Sequence, residues 1–310
     1  MRCGTNTNIY PTALDDNNVM DWCESIRRIS DAGFKTLDLT IGDLHIPNYF
    51  LLDDDWERRI DEIGETAAKC GMEFSQLHLP FHKKGDPTQD PRFKAPGFEE
   101  RYEEAMRRCY IAAGRLGIPW AAAHCLSLRS INFDREKSAK ANHEYYDKYV
   151  ELGIKHGVGT AFENMVQGSA NGGIRVRYTA NPDDLIDFVD SYNDPKVAIL
   201  WDFGHANISG VDQPSALRKI GKRLKCVHVD DNFGETDNHF IPFVGTVKWH
   251  EIIPVLAEIG YTGECSLEVG QFTKRAPRAL QDSLVRSAYD ACRYLCDLFD
   301  KAEAELKAKA

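Results

Sequence analysis

The sequence contains no apolar run approaching the roughly 18 residues of a membrane-spanning helix, so a spanning role is not expected. It also lacks an excess of positive charge. With 38 basic against 48 acidic residues, the net charge is −10 at pH 7, which disfavours a broad nucleic-acid footprint or docking on an anionic membrane. The opening stretch MRCGTNTNIYPT is polar almost from the start and does not read as a secretory signal. No CxxC pair occurs among the nine cysteines, which are scattered at positions 3, 23, 70, 109, 125, 226, 265, 292 and 296. Several fall in apolar contexts, where cysteine behaves as a small buried hydrophobe. Reduced thiols and a cytoplasmic location are the expectation. No activated-nucleophile motif surrounds Cys125, so a catalytic cysteine is not expected there. No GxGxxG turn follows the first strand-like run, which disfavours an open dinucleotide-binding sheet.

What the chain does have is alternation. Hydrophobic residues make up 43% of 310 residues and charged residues 28%, enough for a large core with a solvated surface. Strand-like runs fall at 2–8, 35–41, 73–79, 119–125, 159–165, 197–203, 225–231 and 264–270. Amphipathic stretches lie between them, near 17–32, 53–70, 97–116, 135–156, 182–192, 213–222, 247–259 and 278–308. The segment NPDDL at 181 sets Asn before Pro with two acids in the first turn, a helix start. Glycine closes several helices, in DAGF, KCGM, RLGI, KHGV and EIGY. Eight strand–helix units over this length predict a single (β/α)8 TIM barrel across 1–310, ending in a C-terminal helix at 278–308 whose KAEAELKAKA tail frays.

Barrels of this kind build their sites at the C-terminal ends of the strands. The third strand ends in His78 and His82, and the fourth in His124. The fifth carries Glu163 and Asn164, and the sixth Asp202, with His205 three residues on. The seventh ends in His228 with Asp230 and Asp231; its loop adds Asp237 and His239, and the eighth carries Glu268. A lone histidine at a strand end is most often a hydrogen-bonded rim residue. Acids and histidines converging on one mouth are different, because uncompensated buried charge is costly and a cation relieves it. The expected metal set is Glu163, Asp202, His228 and Glu268, one from each of strands five to eight. Oxygen and imidazole donors without thiolate suit Mn²⁺ first, with Co²⁺, Mg²⁺ or Zn²⁺ as alternatives.

The motifs AFENM, WDFGHAN, KCVHVDDNFGETDNHFIPFVGTVKW and SLEVG resemble the xylose isomerase-like TIM-barrel superfamily. That superfamily includes sugar phosphate isomerases and epimerases, ketose 3-epimerases, inosose dehydratases and apurinic endonucleases of the endonuclease-IV type. The resemblance implies metal binding by Glu163, Asp202, His228 and Glu268, and a substrate-hydroxyl role for His205. It departs from ketose 3-epimerases in two places: Ser169 stands where a further Glu is usual, and the loop NFGET lacks an Arg. The endonuclease branch uses nine ligands for three zinc ions, and its candidates here are His78, His124, Glu163, Asp202, His205, His228, Asp237, His239 and Glu268. Against that branch, the segment after His78 lacks an aromatic-aliphatic wedge for entering a DNA stack.

The expected function is therefore a metal-dependent isomerase or epimerase of a ketose or sugar phosphate. Glu163 and Glu268 would serve as catalytic acid–base groups through an enediolate, with His205 assisting. His78, His124, Asp237 and His239 are expected as supporting or extra-metal residues, the last two on a mobile loop that could close over the sugar. Asp230 or Asp231 is expected behind the ligands or as a strand-end cap. The loop 166–178 has the makings of a lid, with Asn164, Arg175 and Arg177 as substrate-binding candidates and the arginines suited to a phosphate. The alternatives are a zinc phosphodiesterase on abasic DNA and a keto-sugar dehydratase or lyase on the same site. A small sugar is the expected partner, a membrane is not, nucleic acid is disfavoured, and a homo-oligomer is compatible with the family.

Overall fold

The computed structural model describes residues 1–12, 20–42, 49–80, 97–126, 134–170, 173–175, 177–270 and 272–309. Eight parallel strands form the sheet: β1 Cys3–Asn6, β2 Thr36–Thr40, β3 Glu73–His78, β4 Trp120–His124, β5 Gly159–Glu163, β6 Val197–Asp202, β7 Leu224–His228 and β8 Cys265–Leu267. Their spatial order is β8-β1-β2-β3-β4-β5-β6-β7. The remaining seam closes through Val229, whose N–H donates to the Ser266 carbonyl at 2.8 Å and whose carbonyl accepts from Glu268 N–H at 3.1 Å. The result is the (β/α)8 barrel expected from the alternation.

The helices follow the strands in the expected places: α1 Trp22–Ala32, α2 Trp56–Lys69, α3 Phe98–Arg115, α4 Arg135–Lys155, α5 Pro182–Ser191, α6 Phe203–Ile208, α7 Gln213–Ile220, α8 Trp249–Glu258 and α9 Arg278–Lys309. Asn181 caps α5, its side chain accepting from Asp183 N–H at 2.9 Å with Pro182 in the first turn. Gly33 ends α1 at φ 111°, a left-handed backbone that glycine adopts without a Cβ penalty. Two elements were not anticipated. One is α6, a six-residue helix directly after β6; the other is an antiparallel pair, Gly168–Ala170 with Gly173–Arg175, in the loop after β5. Among the described residues, no helix is long and apolar enough to cross a membrane.

Two cores result. The larger lies between barrel and helices, where Phe162 meets Tyr146 edge-on and Phe188 packs against Phe162. The smaller, inside the barrel, consists of Ala122, Ala161, Leu200 and Cys226. These four belong to adjacent strands β4 to β7, with Ala122 opposite Ala161 and Leu200 opposite Cys226. Side chains alternate along a strand with period two. The next inward layer is therefore His124, Glu163, Asp202 and His228, set on an apolar floor.

Candidate metal centre and active site

The four strand-end residues expected to hold a metal do converge. One donor atom from each of Glu163, Asp202, His228 and Glu268 lies within 4.8 Å of the others. His228 sits at the middle, its Nδ1 at 3.1 Å from Glu268 Oε2, 3.4 Å from Glu163 Oε1 and 3.9 Å from Asp202 Oδ2. Glu163, Asp202 and His228 are fully buried, whereas the Glu268 side chain retains 16% exposure at the barrel mouth.

Local hydrogen bonds set the orientation of each group. His228 Nε2 donates to Asp38 Oδ2 at 3.2 Å, so in a neutral imidazole Nδ1 carries the lone pair and faces the carboxylates. Asp38 is itself held by Gln76 Nε2 at 3.0 Å. Asp202 Oδ1 accepts the His205 N–H at 2.6 Å and caps α6, leaving Oδ2 for the cluster. Asn164, a sequence candidate for substrate binding, uses both ends of its amide on the Asp202 backbone: Oδ1 accepts from N–H at 2.7 Å and Nδ2 donates to the carbonyl at 2.9 Å. Gly204 lets α6 approach β7, since a Cβ there would lie 2.3 Å from Asp230 Oδ2.

The donor set fits a divalent cation. Glu163 Oε1, Asp202 Oδ2 and His228 Nδ1 are buried and make no directed hydrogen bond among the described residues, and Glu163 Oε2 faces the His124 ring at 3.0 Å. His205 Nδ1 lies 3.2 Å from Glu163 Oε1 but donates to the Asn164 carbonyl at 2.9 Å, leaving that oxygen without a directed bond. Acceptors facing one another in a dry pocket are unfavourable unless a positive charge stands between them. Protons answer the same field. Burial pushes His228 down, but Glu268 and Glu163 raise it well above the usual imidazole range. Burial pushes the Glu163 carboxyl up, yet the facing His124 and His228 hold it well below the carboxylate range. Asp202 goes the other way, raised by burial and by the nearby Asp230 charge.

Two further groups flank the quartet. His78, His124 and Glu163 form the first, with His124 Nε2 3.0 Å from Glu163 Oε2 and His78 Nε2 3.7 Å from Glu268 Oε1. Burial lowers His124, outweighing the pull of Glu163. Asp230, Asp237 and His239 form the second. His239 Nδ1 donates to the Glu268 carbonyl at 2.8 Å, so its Nε2 turns to Asp237 Oδ2 at 3.3 Å. His205 Nε2 reaches the same oxygen, also at 3.3 Å. Burial raises the Asp230 carboxyl to about 7, helped by the Asp237 and Glu268 charges and opposed by His239.

Asp231 holds the two ends of the loop after β7 together. Asp231 Oδ1 accepts the N–H groups of Asn232 and Val247 at 2.9 and 3.0 Å, and Oδ2 accepts Phe243 N–H and Trp249 Nε1 at 2.9 and 3.0 Å. Asp231 thus organises the loop, while Asp230 joins the flanking group. His82 lies outside the described residues. Arg175 falls in the second strand of the short antiparallel pair, where only its backbone is described, and Arg177 is half-buried after it. Asp38 was missed in the sequence. Its signal was a lone acid in the apolar strand TLDLT.

Residues 26–291 match the family model described as a xylose isomerase-like TIM barrel. The chain is 25% identical over 269 residues to the D-psicose 3-epimerase of Ruminiclostridium cellulolyticum, covering 84% of this chain and 82% of that one. It is 30% identical over 129 residues to an uncharacterized protein of Methanocaldococcus jannaschii, covering 41% of this chain and 42%, less than half, of that protein's length. A solved structure described as a D-tagatose 3-epimerase-like protein superposes with TM-score 0.71 at 18% identity, covering 97% of this chain and 99% of that one. The chain belongs to the xylose isomerase-like TIM-barrel family.

Proposed function

We propose that the protein is a divalent-metal-dependent epimerase or isomerase of a ketose or ketose phosphate. The observation that carries this reading is the convergence of Glu163, Asp202, His228 and Glu268 with their buried, unpartnered donor atoms. The similarity to a D-psicose 3-epimerase over most of both chains supports it. A metal ion held by those four residues, with Mn²⁺ well suited to the donors, supplies Lewis-acid polarisation of a ketose carbonyl and its neighbouring hydroxyl.

The remaining work falls to the chain's own groups. Glu163, kept ionised by His124 and His228, is suited to take a proton from the carbon next to the carbonyl. Glu268, partly open to the mouth, is suited to act from the opposite face of the same carbon. One carboxylate accepts a proton and the other, protonated, returns one, so the pair exchange protonation states with each epimerisation. His205, fixed through Nδ1 to the Asn164 carbonyl and paired through Nε2 with Asp237, is the group proposed to orient a substrate hydroxyl together with that carboxylate. Arg175 and Arg177 are the groups proposed to recognise a phosphate if the substrate carries one.

The test is solvent exchange. With Mn²⁺ in deuterated water, a panel of free ketoses and ketose phosphates should include one that gains deuterium beside its carbonyl. Glu268→Gln should abolish that gain. No exchange into any member of the panel, at any metal loading, overturns the reading.

A second reading, phosphoester hydrolysis with more than one metal ion, is favoured by the two flanking groups around His124 and Asp237. Metal counting separates the two. One equivalent that is lost in Glu163→Gln and kept in His239→Ala belongs to the epimerase reading, whereas two or three zinc ions reduced by both variants point to hydrolysis.

A further inference from the structure

Four of the nine cysteines, drawn from both ends of the chain, meet on the outer face of the barrel beneath α9. Cys3 of β1 and Cys265 of β8 are register partners on adjacent parallel strands, so their side chains leave the sheet on the same side. Cys292 and Cys296 are one helical turn apart on α9, which places them on one helix face. The strand pair and the helix pair face each other. Cys3 Sγ lies 3.4 Å from Cys296 Sγ, the sulfurs of Cys3, Cys292 and Cys296 all lie within 4.8 Å of one another, and Cys292 donates to the Cys265 carbonyl at 3.4 Å. All four are buried, none more than 4% exposed.

We propose that Cys3, Cys265, Cys292 and Cys296 form a thiolate site for one thiophilic divalent cation of the zinc class, separate from the centre at the mouth. Zinc–sulfur bonds of about 2.3 Å set tetrahedral sulfurs roughly 3.8 Å apart, comparable to the spacing among Cys3, Cys292 and Cys296, with Cys265 offered as the fourth donor from the register position beside Cys3. Binding converts each coordinating thiol to a thiolate and releases its proton to solvent, with no change of oxidation state. Cys226 packs among Ala122, Ala161 and Leu200, and burial pushes its thiol well above the usual range. In the cluster the thiols diverge: hydrogen bonds from Cys292 and Cys296 bring the Cys265 thiol down to about 6, whereas at Cys3 the hydrogen bond to Cys292 is outweighed by that to Cys296 and by burial, which raise the thiol, and burial raises Cys292 as well. A cation here would tie α9 to the strands flanking the first and last barrel units. It would enter as the helix docks, because all four cysteines are buried in the folded chain.

The test is protein produced with zinc or cobalt in the medium, then treated with a chelator while folded. The expected result is one tightly retained equivalent per chain and, in the cobalt form, a near-ultraviolet thiolate-to-cobalt charge-transfer band. Both should persist in Glu163→Gln, which removes a donor of the mouth, and both should be lost in Cys292→Ser/Cys296→Ser. A wild-type protein that retains no metal and has no such band overturns the proposal, whether or not the double variant folds. So does a band that survives the double variant, or a Cys3–Cys296 disulfide in peptide maps of freshly isolated protein. Because the readout is sulfur ligation rather than turnover, its outcome is independent of the epimerase reading.

Discussion

The barrel mouth and the cysteine cluster under α9 both gather reactive side chains from distant parts of the sequence, but by different geometry. At the mouth, each strand delivers one residue at its C-terminal end, and the alternation of a parallel barrel turns Glu163, Asp202 and His228 inward above a floor of Ala161, Leu200 and Cys226. Under α9, two register-paired strand residues meet an i, i+4 pair on a helix, outside the barrel. The mouth collects hard oxygen and imidazole donors near solvent, and the cluster collects soft sulfur away from it. Position within the fold therefore separates a site open to a substrate from one that can serve only the fold.

The sharpest way to break this contrast is Glu163→Gln. Loss of the buried carboxylate should lower turnover in the proposed epimerisation by about 10²–10⁴-fold and weaken metal binding at the mouth while leaving helical circular dichroism intact. A variant with wild-type turnover would exclude Glu163 as the base. Asp231→Ala comes next. It strands four donors, three of them buried, and should lower stability by about 3 kcal/mol, read from the midpoint of urea unfolding. A shift within error would mean that the loop holds itself without Asp231.

Asp38→Asn tests how far the mouth depends on what stands behind it. An amide cannot hold His228 Nε2–H as a carboxylate does, so metal affinity should fall about 10–100-fold. Competition with a chromophoric chelator measures this, and unchanged affinity would reduce Asp38 to a packing residue. The smallest effect is expected at the surface. Arg218 and Glu258 pair at 2.8 Å with both side chains about half exposed, and Arg218→Ala should leave the melting midpoint nearly unchanged. A larger loss in thermal melts would show that exposed pairs help hold the helices in place as the buried clusters do.

Much of the mouth was legible because barrel geometry converts a one-dimensional cue, an acid or histidine at the end of an apolar run, into a common location. Glu163, Asp202, His228 and Glu268 all carry that cue. Asp38 does not: it lies inside TLDLT, and its role appears only when the β2–β3 register shift and the reach of His228 bring the two together. The roles of Asp230 and Asp231 were equally hidden. Adjacent residues on a strand end point to opposite sides, and only the folded loop reveals that Asp231 gathers backbone N–H groups while Asp230 faces His239. Asn164 looked available to a substrate and is instead spent on the Asp202 backbone.

By itself, the amino-acid sequence determined the eightfold strand–helix alternation, the helix caps and the strand ends that carry ionisable groups. All of these follow from local propensity and hydrophobic period acting over a few residues. Tertiary structure alone decided which nitrogen of His228 faces the carboxylates, which aspartate fastens the loop, and that Cys3 meets Cys296 across 293 positions of chain. Those outcomes depend on closing the barrel and docking α9, and a contact between distant segments leaves no periodic trace in the sequence of either one.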